Sequence, residues 1–298
     1  MSAPAGMVPE RLALADRTVS RGRRLRSAAV TISAYLALLV AVVPLVFVVI
    51  TVVSKGGRVI GAGFLTHDLP IQARSSEGGM GPAVAGTLLI TGVACLLAIP
   101  VGILAAVYLV DYGHRNRLAG LIRFLSDVMA GVPSIVMGLF IFTVWVVRYK
   151  QRSGLAGAFA LACLMLPIVI RSTEAMLRLV PGELREASYA LGCRKARTVM
   201  TVVLPAALPG IVSGCLLAVA RAAGETAPLL FTIGLTYTTN AHLHGENTAL
   251  SAQIFSNAST SFVAAQQRAW GAALTLIALV IILSVLARAV TARFASNR

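Results

Sequence analysis

Six stretches of the chain, at about residues 28–53, 82–110, 124–147, 154–170, 206–236 and 269–290, are almost continuously apolar. Each is close to or longer than the ~20 residues needed to cross roughly 30 Å of hydrocarbon. In lipid a segment must satisfy its backbone donors and acceptors internally, so runs of this kind read as helices. The composition agrees: 57% of residues are hydrophobic and 12% charged, where soluble domains sit near half apolar and about a quarter charged. The expected fold class is an all-α integral membrane protein with about six transmembrane helices.

The formal charge is +15, but the basic residues lie between the apolar runs and form no stripe that could follow a phosphate backbone. Nucleic acid is therefore not an expected partner, and the lipid bilayer is. Cytoplasmic loops of membrane proteins are enriched in Lys and Arg. Residues 1–27 carry Arg11, Arg17, Arg21, Arg23, Arg24 and Arg26 against Glu10 and Asp16, and Arg288, Arg293 and Arg298 mark the other end. Both termini are thus expected in the cytoplasm, with 1–27 a basic tail and 293–298 a short cytoplasmic end. The first apolar run, from near Ser27 to Val53, exceeds the hydrophobic region of a signal peptide and is expected to stay in the membrane. Arg148, Lys150 and Arg152 fall in a loop that this topology puts outside. They read either as a tolerated exception to the charge rule or as a patch that steers anions.

Pro44, Pro100, Pro133, Pro167, Pro209 and Pro228 fall inside the runs and predict kinks, since neighbouring helices re-satisfy the freed carbonyls in a membrane. Gly210, Gly214 and Ala218 share one helical face and predict a close helix contact, within the chain or between subunits. Trp270 opens the sixth run, as suits a membrane–water interface. Cys95, Cys163, Cys193 and Cys215 are scattered without a CxxC, and His242 and His244 lack a second ligand pair, so no metal site is expected.

The segment 171–205, between the fourth and fifth runs, is richer than a connection requires. It holds Arg171, Arg178, Arg185, Arg194, Lys195 and Arg197 with Glu174, Glu183 and Glu186. After Pro181-Gly182, residues 183–191 read as a short helix with an acidic first turn, where the helix dipole favours it. Leu184, Ala187 and Leu191 form its apolar stripe, and Gly192 stands where a left-handed cap is wanted. A nine-residue helix is about 13 Å long and marginal by itself. It reads as an element that docks into something, or as a surface helix lying on the membrane.

Glu186-Ala187-Ser188, then Gly192, then Val202, then Leu204-Pro205 resembles the EAA signature of ABC importer permeases, which runs E-A-A, three residues, G, nine residues, I, one residue, L-P. The spacing agrees throughout; Ser188 replaces the second Ala and Val202 the Ile. The resemblance implies a type I importer permease (MetI-like) fold, with Glu186, Ala187, Ser188, Gly192, Leu204 and Pro205 forming the loop that couples to an ATPase. The chain then divides into a first helix and outer loop (28–81) and a permease core (82–292) that contains the coupling loop. Three further strings, 131–140, 204–212 and 220–232, the last running Ala-Arg-Ala-Ala-Gly-Glu-Thr-Ala-Pro-Leu-Leu-Phe-Thr, are similar to PstA-type permeases of phosphate-specific importers. That narrower resemblance implies import of inorganic phosphate at a bacterial cell membrane. It also implies a homologous second permease, an ATPase dimer and an extracytoplasmic phosphate-binding protein as partners. A permease for molybdate or sulfate would keep the EAA spacing, and a secondary transporter would leave it unexplained.

Arg221 and Glu225 lie midway along the fifth run, four residues apart and able to pair on a helical face. A charge at the centre of a membrane helix costs about 2.5–3.5 kcal/mol on insertion scales, so its default reading is functional. A guanidinium grips two phosphate oxygens at once, and Glu225 would neutralise it when the path is empty. A fixed ion pair holding the bundle is the alternative. Arg171 and Glu174 repeat the pairing at the inner end of the fourth run, with Arg178 one turn on, where a solvated helix end is the plainer reading. The family resemblance implicates the positions of Arg171, Glu174 and Arg221 in transport. Asp127, early in the third run, reads as facing headgroups.

Nothing in the sequence supplies an ATPase. Lys55, Lys150 and Lys195 are its only lysines, and none stands in GxxxxGK[ST]. No HExxH or GxSxG occurs either. A non-catalytic subunit is expected, with no cofactor on this chain and with ATP and Mg held by the partner ATPase.

Overall fold

The structure, a computed structural model, describes residues 21–75, 77–113 and 116–296. The basic residues up to position 20, and Arg298, lie outside the described residues. The chain forms two compact units, the first ending at Thr51 and the second starting at Val52. All its regular elements among the described residues are helical.

The first unit contains most of α1 (Arg21–Gly56). Its apolar side chains, from Leu25 through Ile50, are exposed around the whole circumference. A helix that is apolar on every side is stable only when lipid or another protein surrounds it.

In the second unit, α2 (Ala62–Thr66) precedes α3 (Gly81–Val107), which continues through a π-helical turn, Tyr108–Tyr112. Then come α4 (Arg117–Gly131), α5 (Ser134–Ile141), a second π turn and α6 (Val147–Tyr149). The long α7 (Gly154–Arg178) leads to the short α8 (Gly182–Ala190) and α9 (Lys195–Thr198). A third π turn, Val199–Val203, runs into α10 (Leu204–Gly224), followed by α11 (Ala227–Thr232), α12 (Leu250–Ala258) and α13 (Val263–Ser296). Among the described residues, five helices are long and apolar enough to cross a membrane, and six if the bent pair 117–131 and 134–149 is one span.

That bend falls at Pro133, where the sequence predicts a kink, but it is a full break of the helix. The third apolar run is two helices meeting at 106°. Pro133 disfavours the helical conformation at the residue before it, and Val132 is extended at φ −72°, ψ 128°. Pro44, Pro100, Pro167 and Pro209 lie within helices as expected, whereas Pro133 precedes α5 and Pro228 opens α11. The fifth run also breaks, because α10 stops at Gly224 with Glu225 extended at φ −69°, ψ 127°.

The core is built by α3, α7 and α10 on small residues. Ala94, Ala98 and Ala106 of α3 pack with Leu161, Met165 and Val169 of α7. A Cβ at Gly102 would come within 2.6 Å of Val169 Cγ1, so these two helices approach as closely as glycine permits. The small-residue stripe of α10 also serves within the chain: a Cβ at Gly210 would collide with Met176, and one at Gly214 with Ser172, both on α7. Trp270 receives Lys55, whose Nζ lies 4.9 Å from the ring centroid. The four cysteines are free.

Candidate functional site

The coupling-type helix α8 is fixed along one side and bare along the other. Pro181 begins it from an extended conformation, φ −55° and ψ 138°, with Glu183 in the first turn. Its far end closes with two bonds: Cys193 N donates to Ser188 O at 3.1 Å, and Gly192 N to Tyr189 O at 2.9 Å. These are the paired bonds of a Schellman motif, which needs a left-handed residue between them, and Gly192 supplies it at φ +78°. Ser188 is buried, and its hydroxyl lies 2.9 Å from that of the fully buried Thr198 on α9. The departure from the EAA pattern thus carries a hydrogen bond that alanine lacks.

Arg185 completes the fastening. It pairs with the buried Asp111 in the π turn after α3 and donates to Leu177 O of α7 at 3.0 Å. Opposite this anchored side, Leu184 is 45% and Leu191 85% exposed, with Glu183, Glu186 and Ala187 also exposed. A short helix held rigidly with its apolar stripe uncovered has the form of a docking element. The remaining two signature residues lie elsewhere. Leu204 packs against the main core and Pro205 stands in the first turn of α10, so they set the foot of the span.

At the end of α7, Glu174 is 3% exposed and gathers three guanidiniums. Arg123 Nε donates to its Oε1 at 2.9 Å, Arg178 Nη2 to the same oxygen at 2.7 Å, and Arg171 Nη1 to Oε2 at 3.4 Å. Arg123 also donates to Leu109 O at 3.0 Å, and Arg171 pairs with Asp127. The cluster therefore ties α4 and the end of α3 to α7. Sequence reasoning missed Arg123 and Asp111, and it assigned Asp127 to headgroups. The expectation of a solvated helix end holds for Arg178 and in part for Arg171, but not for Glu174, whose carboxylate is buried within its arginines.

Arg221 and Glu225 do pair, but across the break after α10 and not on a continuous helix. Arg221 Nε lies 3.5 Å from Glu225 Oε1, with the two side chains 66% and 17% exposed. Glu225 is held through its backbone: its N–H donates to Ala222 O at 3.2 Å and its carbonyl accepts Ser251 Oγ of α12 at 3.0 Å. Thr232 is buried, and its hydroxyl is spent on Pro228 O at 2.9 Å. Arg221 thus projects from the bundle with one loosely engaged counter-charge, free to meet a ligand or a second subunit. Near the loop 150–153, Lys150 adopts a left-handed turn at φ 54°, and Ser153 caps α7 by accepting from Ala156 N at 3.2 Å.

The bundle thus carries, at one end, an anchored short helix with an uncovered apolar stripe and, on a broken span, a half-free arginine. Residues 98–296 match the family of binding-protein-dependent transport system inner membrane components, and this chain belongs to that family. It is a multi-pass membrane protein of the ABC permease class. Among its relatives is the phosphate transport system permease protein PstA 1 of Mycobacterium tuberculosis (strain ATCC 25618 / H37Rv), 43% identical over 286 residues, covering 95% of this chain and 92% of the relative. The phosphate transport system permease protein PstA of Yersinia pestis is 41% identical over 249 residues, 84% of each chain. Among solved structures, the inward-facing MetNI methionine ABC transporter resembles it in fold, with a TM-score of 0.58 at 20% identity, covering 73% of this chain and 95% of that one.

Proposed function

We propose that this chain is one of two homologous permease subunits of a bacterial ABC importer for inorganic phosphate. The observation that carries the reading is its 43% identity, over 95% of its length, to a phosphate permease. The exposed Arg221 fits the same substrate, since a guanidinium presents a planar fork to two phosphate oxygens. The protein resides in the cell membrane with both termini in the cytoplasm. Its α8 docks on an ATPase dimer that holds ATP and Mg, through Glu186, Ala187 and the stripe of Leu184 and Leu191. Ser188 and Gly192 hold that helix in shape, and Leu204 and Pro205 seat the following span. An extracytoplasmic phosphate-binding protein delivers the anion.

Within the path, Arg221 takes the anion and Glu225 neutralises the arginine between arrivals. At the inner end Arg171, two-fifths exposed, meets the anion leaving the span, while Glu174 orients it. The test is uptake into vesicles that contain the complete complex and its binding protein. Labelled phosphate should accumulate only with ATP, and excess unlabelled molybdate or sulfate should not compete. Competition by either at concentrations equal to phosphate would assign the permease to another oxyanion.

A further inference from the structure

We infer that a second oxyanion site, centred on Arg268, lies at the end of the bundle opposite α8. Arg268, near the start of α13, is 4% exposed. Its two terminal nitrogens donate to backbone carbonyls of the loop before α3, one to Ser75 and the other to Ala73 at 3.0 Å. Its Nε has no hydrogen-bond partner, and among the described residues no carboxylate lies within ion-pair distance. Carbonyl dipoles hold the guanidinium in place but leave its full charge uncompensated. A buried cation in that condition calls for an anion.

A small cleft of about 90 Å³ opens beside it, lined by Arg268 with Tyr237, Gln253, Ser256, Asn257 and Thr260 and in part by apolar side chains such as Leu69 and Leu235. The hydroxyls of Ser256 and Tyr237 take part in no hydrogen bond among the described residues, and the amide of Asn257 already donates to Gln253. The groups left without partners are therefore the hydroxyls of Ser256 and Tyr237 and the buried Nε–H of Arg268, a donor set suited to a small tetrahedral oxyanion that draws the guanidinium toward the cleft. α12 is tied to the first turns of α3 by Leu250 N, which donates to Thr87 Oγ1 at 2.8 Å. In the proposed orientation this end is extracytoplasmic, so the cleft is an entry station that an anion visits before it reaches Arg221. The direction of travel rests on the proposed phosphate import; the binding itself does not.

The test uses Ser256→Cys in a transport-competent chain with Cys95, Cys163, Cys193 and Cys215 replaced, assembled with its partner subunits in membranes without the binding protein. The rate of labelling by an uncharged maleimide is measured with inorganic phosphate and with potassium chloride at matched ionic strength. Phosphate should slow labelling several-fold and chloride should not. Arg268→Gln should abolish the protection. Because Arg268 also anchors the loop, Arg268→Lys gives an independent reading: the cation stays, the fork is lost, and protection should fall at an unchanged membrane level. No slowing by phosphate, equal slowing by chloride, or full protection in Arg268→Lys overturns the site. Labelled phosphate uptake with the binding protein restored is measured on the parent chain, with Ser256 and the four cysteines intact. Uptake without protection rejects this site alone, and failure of uptake rejects the wider function whatever the labelling result.

Discussion

Glu174 and Glu225 are both carboxylates at the ends of apolar spans and both face arginine, yet their surroundings are opposite. Glu174 is enclosed by Arg123, Arg171 and Arg178, with bonds of 2.7 and 2.9 Å to two of them. Glu225 meets Arg221 alone, at 3.5 Å, and that arginine is two-thirds exposed. A closely bonded, buried cluster holds helices in register, and removing one member strands the others. A loose pair at the surface of a bundle costs little to separate, and separation is what a transient ligand site requires. Proximity of opposite charges in a membrane protein therefore does not by itself distinguish scaffold from path; burial and the number of partners do.

The largest effect should come from the enclosed carboxylate. Glu174→Gln removes the charged acceptor of three guanidiniums that are a third to three-fifths exposed, so water takes up part of the loss and the cost is about 1.5–3 kcal/mol. The protein level in membranes and the melting temperature of the purified complex should both fall sharply. Stability equal to the parent's would erase the contrast with Glu225. Arg221→Gln should do the reverse: stability stays within about 0.5 kcal/mol, as for an exposed substitution away from the core, while labelled phosphate uptake is lost. Arg221→Lys should retain only a part of it, since a point charge replaces the bidentate fork.

Much of the coupling helix was legible in the sequence because its signals are local. Pro181-Gly182, the acidic first turn and Gly192 lie within a dozen residues, and the helix, its stop and its left-handed glycine follow from them. The fastening of that helix was not legible. Arg185 reaches Asp111 across 74 positions, and Arg123 reaches Glu174 across 51; only the tertiary fold brings them together. Kinks were expected in two spans, but the extent of the breaks was missed for a different reason. Hydropathy averages over a window and passes through Val132-Pro133 and Gly224-Glu225 without registering a backbone that turns extended. Those residues were visible as helix breakers, but the apolar runs around them dominated the reading.

Two smaller predictions sharpen the comparison by testing a region whose rigidity serves docking. Gly192→Ala places a Cβ at a left-handed position, at a cost of about 1–2 kcal/mol. No neighbouring atom lies within 4 Å of that Cβ, so the effect is purely conformational. ATPase subunits co-purifying with the complex should decrease, and Gly192→Asn should recover part of the loss because Asn tolerates this conformation. Ser188→Ala restores the EAA triplet yet leaves the hydroxyl of Thr198 buried without a partner, costing about 1 kcal/mol. Adding Thr198→Val should return most of that stability in a thermal melt of the complex. A single mutant as stable as the parent would show that the Ser188–Thr198 bond holds nothing.

The central contrast is tested most directly by the double substitution Arg221→Gln with Glu225→Gln, measured as labelled phosphate uptake normalised to permease level and to bound ATPase. Both charges leave together, so lost uptake cannot be traced to a carboxylate left without its partner. The double mutant should insert and hold its ATPase like the parent, but it should import no phosphate, because the cation that receives the anion is gone. Uptake at the parental rate would contradict this and make Arg221–Glu225 a second scaffold, like Glu174 with Arg123 and Arg178.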